Sequence, residues 1–296
     1  MTTSSPRPTS IRIFLADGVP DGLRIVEKSN WTGRAVVASR SQLDRALVRD
    51  ELGQPGVYVL TGPGEAATPQ VYVGEADVLR ERIKQHVASK EFWTRLVAFT
   101  STNEGLNKAH VRYLESRLVG LARDANQWKV ANGTQPASPP LSEADRADAE
   151  WFLEEMMLIF PVLGIDAFSA AASQARAPGP DTTDDSAELR LAERGAEAKG
   201  TEVAEGFVVM KGARARTSET KSIHNYLREL RAELQDRDVL VTDGDSLLFA
   251  QDYRFTSPST AAGVLVGGNA NGRRAWKDAR GRTLKELQQA RAESPE

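Results

Sequence analysis

The feature that most limits how this chain can fold is a stretch with little to put in a core. From Ala170 to Glu205 the sequence is rich in Ala, Ser, Pro, Asp and Glu and poor in large apolar residues. Such a segment buries too little apolar surface to offset the entropy of ordering it, so residues 170–205 are expected to be a flexible acidic linker. A chain of 296 residues interrupted there has room for two bodies of ordinary size. Charge divides the same way: residues 142–205 carry 5 Lys and Arg against 15 Asp and Glu, residues 1–141 carry 18 against 14, and residues 206–296 carry 15 against 12. Mildly basic ends suit a polyanionic partner and equally an ordinary solvated surface.

Several classes drop out at once. The chain has no cysteine, which removes disulfides, thiolate zinc sites, iron–sulfur clusters and thiol nucleophiles. Three histidines, His86, His110 and His224, are too few for a histidine metal cage. No apolar run reaches the roughly 18 residues of a membrane span, and the polar start Met1–Ser10 lacks the apolar segment of a secretory signal. A cytoplasmic chain without membrane contact or an organic cofactor is expected. Its oligomeric state is not legible.

Hydrophobic periodicity predicts an α+β fold. Residues 1–49 read as a β-rich extension of short strands and turns. Gly56-Val57-Tyr58-Val59-Leu60 and Val71-Tyr72-Val73-Gly74 are strand-like and separated by a Gly/Pro-containing loop, which reads as a hairpin. A helix is expected after Asp77, an N-cap residue type, with Leu79 and Ile83 on its buried stripe. A third strand is expected over 93–100 and a long helix from Asn103 to Ala125. Ser142 opens a further helix toward Phe160, within a helical extension over 142–169. Residues 206–296 read as a second small α+β domain, closing on a hairpin around Asn271-Gly272 and Arg280-Gly281.

Within residues 50–135 one constellation carries chemistry. The paired strands present Tyr58 and Tyr72. Gly74 permits close approach of a backbone or a substrate. Arg82 and His86 stand four residues apart and so share a helix face. Glu115 lies against the apolar positions of the later helix, where a carboxylate needs a partner or a metal. Taken singly, each has a plainer explanation: packing for the tyrosines, solvated surface for Arg82 and His86, and a salt bridge to Arg112 or Lys108 for Glu115.

Taken together, the spacing resembles the GIY-YIG nuclease family. Its two signature tripeptides are similar to Gly56-Val57-Tyr58 and Tyr72-Val73-Gly74, with valine for isoleucine in both. Arg82 stands ten residues after Tyr72, at the position of the family's arginine, with His86 four residues beyond. The resemblance implies a small three-stranded sheet flanked by helices over residues 50–135 and an endonuclease that hydrolyses phosphodiester bonds in DNA. It further implies Mg²⁺ or Mn²⁺ bound by Glu115, Arg82 on the scissile phosphate, Tyr58 as general base, and Tyr72 orienting water or phosphate. His86 would share proton transfer, and Asn132 would correspond to a late asparagine near the nucleic acid. The alternative is a nucleic-acid-binding protein on a nuclease fold with weak or lost activity. Glu75, which stands where excision-repair members carry lysine, points that way unless a neighbouring arginine such as Arg80 holds it. The C-terminal part resembles a small domain of unknown function often attached to such nucleases. Arg273, Arg274 and Lys277 around Trp276 suit phosphate contact and stacking; the plainer reading puts Trp276 in a core.

Overall fold

The computed structural model describes residues 8–64, 68–103, 105–171, 188–203 and 206–293. The chain is α+β and divides into two compact units. One is drawn from residues before 169; the other follows and includes short pieces near 68 and 125–127.

The first unit is built on a seven-stranded sheet. Its strands are β1 (Ile11–Leu15), β2 (Arg24–Lys28), β3 (Gly33–Ser39), β4 (Gly56–Pro63), β5 (Pro69–Ala76), β6 (Arg95–Ser101) and β7 (Lys129–Val130). They lie in the order β1-β2-β3-β6-β4-β5-β7, all antiparallel except β5–β7. The expected three-stranded sheet is its β6-β4-β5 segment. The N-terminal strands are not a separate extension: β3 pairs with β6 along its whole length and carries β2 and β1 outward.

Among the described residues, four α-helices flank this sheet: α1 (Leu43–Leu47), α2 (Leu79–Ser89), α3 (Lys108–Ala125) and α4 (Glu143–Val162). Val57, Val59, Val71 and Val73 face Leu114, Leu118, Phe152 and Phe160 of α3 and α4. Tyr58 and Leu60 face Leu47, Leu79 and Ile83 of α1 and α2. Helices on both sides explain why β4 reads as a continuous apolar run rather than an alternating one. Two helix starts differ from expectation. The N-cap of α2 is Val78, while Asp77 pairs with Lys108 at 3.1 Å. Helix α3 starts later than predicted, where the Asn107 side chain accepts from the His110 N–H at 3.0 Å.

The second unit has its own seven-stranded sheet. Its strands are β8 (Leu189–Glu193), β9 (Ala196–Val203), β10 (Gly206–Val209), β11 (Arg214–Arg216), β12 (Leu240–Asp243), β13 (Ser246–Phe249) and β14 (Tyr253–Phe255). Helices α5 (Asn225–Asp236), α6 (Pro258–Val266), α7 (Gly272–Ala275) and α8 (Leu284–Glu293) complete it. The expected linker is corrected here. Residues 189–203 form a hairpin with Leu189, Leu191, Ala196 and Ala198 buried and Arg190, Glu197 and Lys199 exposed. Composition averaged over the stretch hid this alternation. The two-residue turn Arg194-Gly195 has φ of 53° and 85°, which suits a tight hairpin and favours glycine. Of the rest of the expected linker, residues 172–187 and 204–205 lie outside the described residues. The final hairpin is corrected in part: residues 272–275 form a helical turn and Leu284–Glu293 is a helix, while Lys277 and Thr283 bridge antiparallel around the turn at Arg280-Gly281.

Candidate active site

The site begins with a missing side chain. In the β4–β5 register Tyr58 lies opposite Gly74, and Leu60 lies opposite Tyr72. Opposed residues share a face, so both tyrosines stand on the α2 side of the sheet. A Cβ at position 74 would sit 2.5 Å from the Tyr58 hydroxyl oxygen. Gly74 thus lets the Tyr58 ring cross β5, bringing it 6.2 Å from the Tyr72 ring. The space expected for a substrate at Gly74 is filled by Tyr58 itself.

Helix α2 closes over this pair. Both hydroxyls reach His86 Nδ1, at 2.7 Å from Tyr58 and 3.0 Å from Tyr72. His86 titrates below its ordinary range because of burial and the charges of Arg82 and Lys90. A neutral imidazole offers one lone pair at Nδ1, so the Tyr72 hydroxyl donates there while the Tyr58 hydroxyl donates to Tyr72. Tyr58 is fully buried, and burial raises its pKa far above the ordinary phenol range, with the charge of Tyr72 adding to the shift. Tyr72 is half-buried and raised by burial and by Glu115. Arg82 is exposed one turn before His86, and its charge acts on Tyr58, Tyr72, His86 and Glu115 alike.

The far side of β5 is a nearly open edge. β7 covers it only at Gln70 and Val71. Next along, the Asn132 amide accepts from the Val73 N–H at 3.0 Å and donates to the Val73 carbonyl at 2.8 Å. Asn132 imitates one more residue of strand. Its amide is thereby committed to β5, next to Tyr72 and Gly74.

Glu115 projects from α3, half-buried, and no hydrogen bond or ion pair engages its carboxylate among the described residues. Burial and then the charge of Glu75 raise its pKa to about 7, against the pull of Arg82, Arg112 and Lys108. The salt bridge offered as its plainer explanation does not form. Lys108 instead binds Glu75 at 3.2 Å and Asp77 at 3.1 Å. Arg80, the expected partner of Glu75, donates to the Arg49 carbonyl at 3.1 Å. Among the described residues, no group of three or more His, Asp or Glu side chains is arranged to hold a metal ion. A single uncompensated carboxylate beside a cationic guanidinium nevertheless fits a hydrated hard divalent cation, which keeps most of its waters and takes one or two carboxylates.

One residue and the pairing of another escaped sequence reasoning. Lys90 lies four residues beyond His86, with its Nζ 4.1 Å from the Tyr72 ring centre. The i, i+4, i+8 spacing of Arg82, His86 and Lys90 was a readable signal. Lys108 had none, because its partners Glu75 and Asp77 meet it only through folding.

The C-terminal candidates separate. Arg273, Arg274 and Lys277 are exposed, but Trp276 is fully buried. Its ring packs 4.5 Å from Phe207, and its N–H bonds the Pro258 carbonyl at 3.1 Å. Stacking of a base on Trp276 is therefore ruled out, since an indole occupying a core presents no face to a ligand.

Residues 189–288 match the family model of a domain of unknown function, DUF4357. The match lies within the second unit and does not reach the tyrosine site. No curated protein and no solved structure matches the chain.

Proposed function

We propose that the chain is a divalent-metal-dependent endonuclease that hydrolyses phosphodiester bonds in DNA. The reading is carried by one observation: Tyr58 and Tyr72 converge on His86 Nδ1 beside Arg82 and the unpaired Glu115. A structural role would have given Glu115 a partner.

Glu115 would hold Mg²⁺ or Mn²⁺, which when bound neutralises charge on phosphoryl oxygens and lowers the pKa of water. Arg82, exposed and planar, grips the scissile phosphate through two donors. The two tyrosines divide the work differently from the expectation that Tyr58 is the general base. Tyr58 is sealed from solvent, so it acts by fixing the Tyr72 hydroxyl through a hydrogen bond. Tyr72, half-exposed, is the hydroxyl that meets the attacking water. It takes a proton from that water as its own proton moves to neutral His86 Nδ1, and the resulting hydroxide attacks phosphorus. The leaving oxygen is protonated from solvent.

The second reading, a DNA-binding chain without turnover, is favoured by the elevated pKa of Tyr58 and the acid at position 75. Cleavage of single-stranded, duplex and branched DNA with Mg²⁺ or Mn²⁺ decides between them, using Glu115→Gln as the control. Divalent-dependent cleavage lost in that variant with DNA binding retained supports the nuclease. Binding without cleavage in the native chain favours the second reading.

A further inference from the structure

The second unit carries a row of cations that the acids of the fold answer only in part. On the outer face of its sheet, Arg190 of β8 lies opposite Lys199 of β9. On its other side Arg190 is bridged to Lys277. Opposed residues share a face at about 4.5–5.5 Å between Cα atoms, so Lys277, Arg190 and Lys199 form a transverse line of like charge. Beyond Lys199 the ladder is interrupted. Residues 210–213 face only 198–199 between the pairs Val209–Gly200 and Arg214–Glu197. This bulge brings Lys211 to the same recess, since extra residues in one strand re-aim its side chains. The recess has a volume of about 360 Å³ and is lined by Arg190, Lys199, Lys211, Arg214 and Glu197.

Acids answer part of this charge. Glu188 binds Arg190 at 3.1 Å and Lys199 at 3.0 Å, and Asp243 binds Arg214 at 3.2 Å. Lys211 and Lys277 are exposed and form no ion pair among the described residues. Like charges facing each other across a sheet are destabilising, and these exposed side chains contribute nothing to the core. Their alignment therefore asks for an anion with repeated charge.

We infer that this recess and row bind the phosphodiester backbone of a nucleic acid. No aromatic ring lines the recess, so no base is stacked there. The only outward apolar side chain is the Ala192 methyl, which leaves no pocket for the side chains of an acidic peptide. Recognition stops at phosphates and is independent of sequence. The identity of the polyanion as nucleic acid rests on the reading of the first unit as a DNA-cleaving site.

The test uses the full chain carrying Glu115→Gln, so that bound DNA stays intact, and a fluorescein-labelled duplex read by anisotropy across a salt series. Adding Lys199→Gln and Lys211→Gln should weaken binding and make the slope of log K against log salt shallower by about 1.8, at about 0.9 per phosphate contact. Lys277→Gln alone should remove about 0.9. Lys221→Gln, an exposed lysine outside the recess, should change neither. All substituted lysines are exposed, and Lys211→Gln alone breaks no ion pair, so folding does not confound the result; melting curves check it. Unchanged affinity and slope in the double variant would overturn the proposal. So would displacement of DNA by polyglutamate at equal charge. If the native chain fails to cut DNA while the double variant still binds more weakly, the nuclease reading falls and this site stands.

Discussion

Glu115 gives the sharpest prediction, because its environment should penalise the folded chain in a pH-dependent way. Its pKa rises from an ordinary 4.5 to about 7 on folding. The unfolded chain therefore ionises this carboxyl more readily than the folded one. Stability contributed by the group is intact at low pH, declines as pH climbs from about 4.5 to about 7, and remains lost above that. At about 1.36 kcal/mol per pKa unit the upper bound is about 3.4 kcal/mol. The carboxylate is only half-buried, and solvent screening reduces this to about 1–2 kcal/mol. Glutamine keeps the shape and cannot ionise. Glu115→Gln should thus raise the melting temperature at pH 8 by about 2–8 °C and leave it nearly unchanged at pH 5. Saturating Mg²⁺ should raise the native chain toward the variant at pH 8, since a bound cation neutralises the same charge. Differential scanning calorimetry at the two pH values, with and without Mg²⁺, measures all of this. A variant that melts lower than the native chain at pH 8 would refute the reasoning, because it would mean that Glu115 has a stabilising partner.

Further outcomes follow from single contacts. Arg82→Lys should lower single-turnover cleavage at saturating DNA by on the order of 10²–10³, the usual cost of losing an oriented donor; a near-native rate would return Arg82 to ordinary surface. Gly74→Ala places a Cβ 2.5 Å from the Tyr58 hydroxyl, so it should cost about 1–3 kcal/mol in denaturant titrations and suppress cleavage, and native stability would show that Tyr58 can move aside freely. Asn132→Ala strips the Val73 N–H and carbonyl of their partners; an expected loss of about 1–3 kcal/mol, with faster amide exchange at Val73, separates it from a residue that only touches DNA.

What could be read from the sequence was whatever repeats locally. The β4–β5 hairpin, the Arg82–His86 pair and the Ser142 helix start each declare themselves within a few residues. Errors came where an average replaced a pattern or where a distant partner decided. The linker estimate failed over 189–203 because small residues and charges dominate the composition while Leu189 and Leu191 keep strict alternation. Trp276 amid arginines looked like a stacking platform, because local sequence cannot show that Phe207 lies against its ring. The tyrosine roles depended on burial, which opposed strands and α2 impose together.

The acid at position 75 gains an explanation from the sheet itself. Strands β1 to β3 extend the sheet beyond β6, on the side away from β5. They leave β5 with a nearly free edge, guarded only by the two residues of β7 and the amide of Asn132. Glu75 sits near the end of β5 on the face of Val71 and Val73, largely buried and tied to Lys108 at 3.2 Å. The same ion pair sets the field at Glu115, whose pKa Glu75 raises and Lys108 lowers. Tuning of the Glu115 carboxylate therefore falls to this pair of residues. Replacing Glu75 by lysine would bring two ammonium groups together at the strand end while relieving the repulsion on Glu115. The acid at 75 is accordingly matched to a lysine at 108, and neither position is explained without the other.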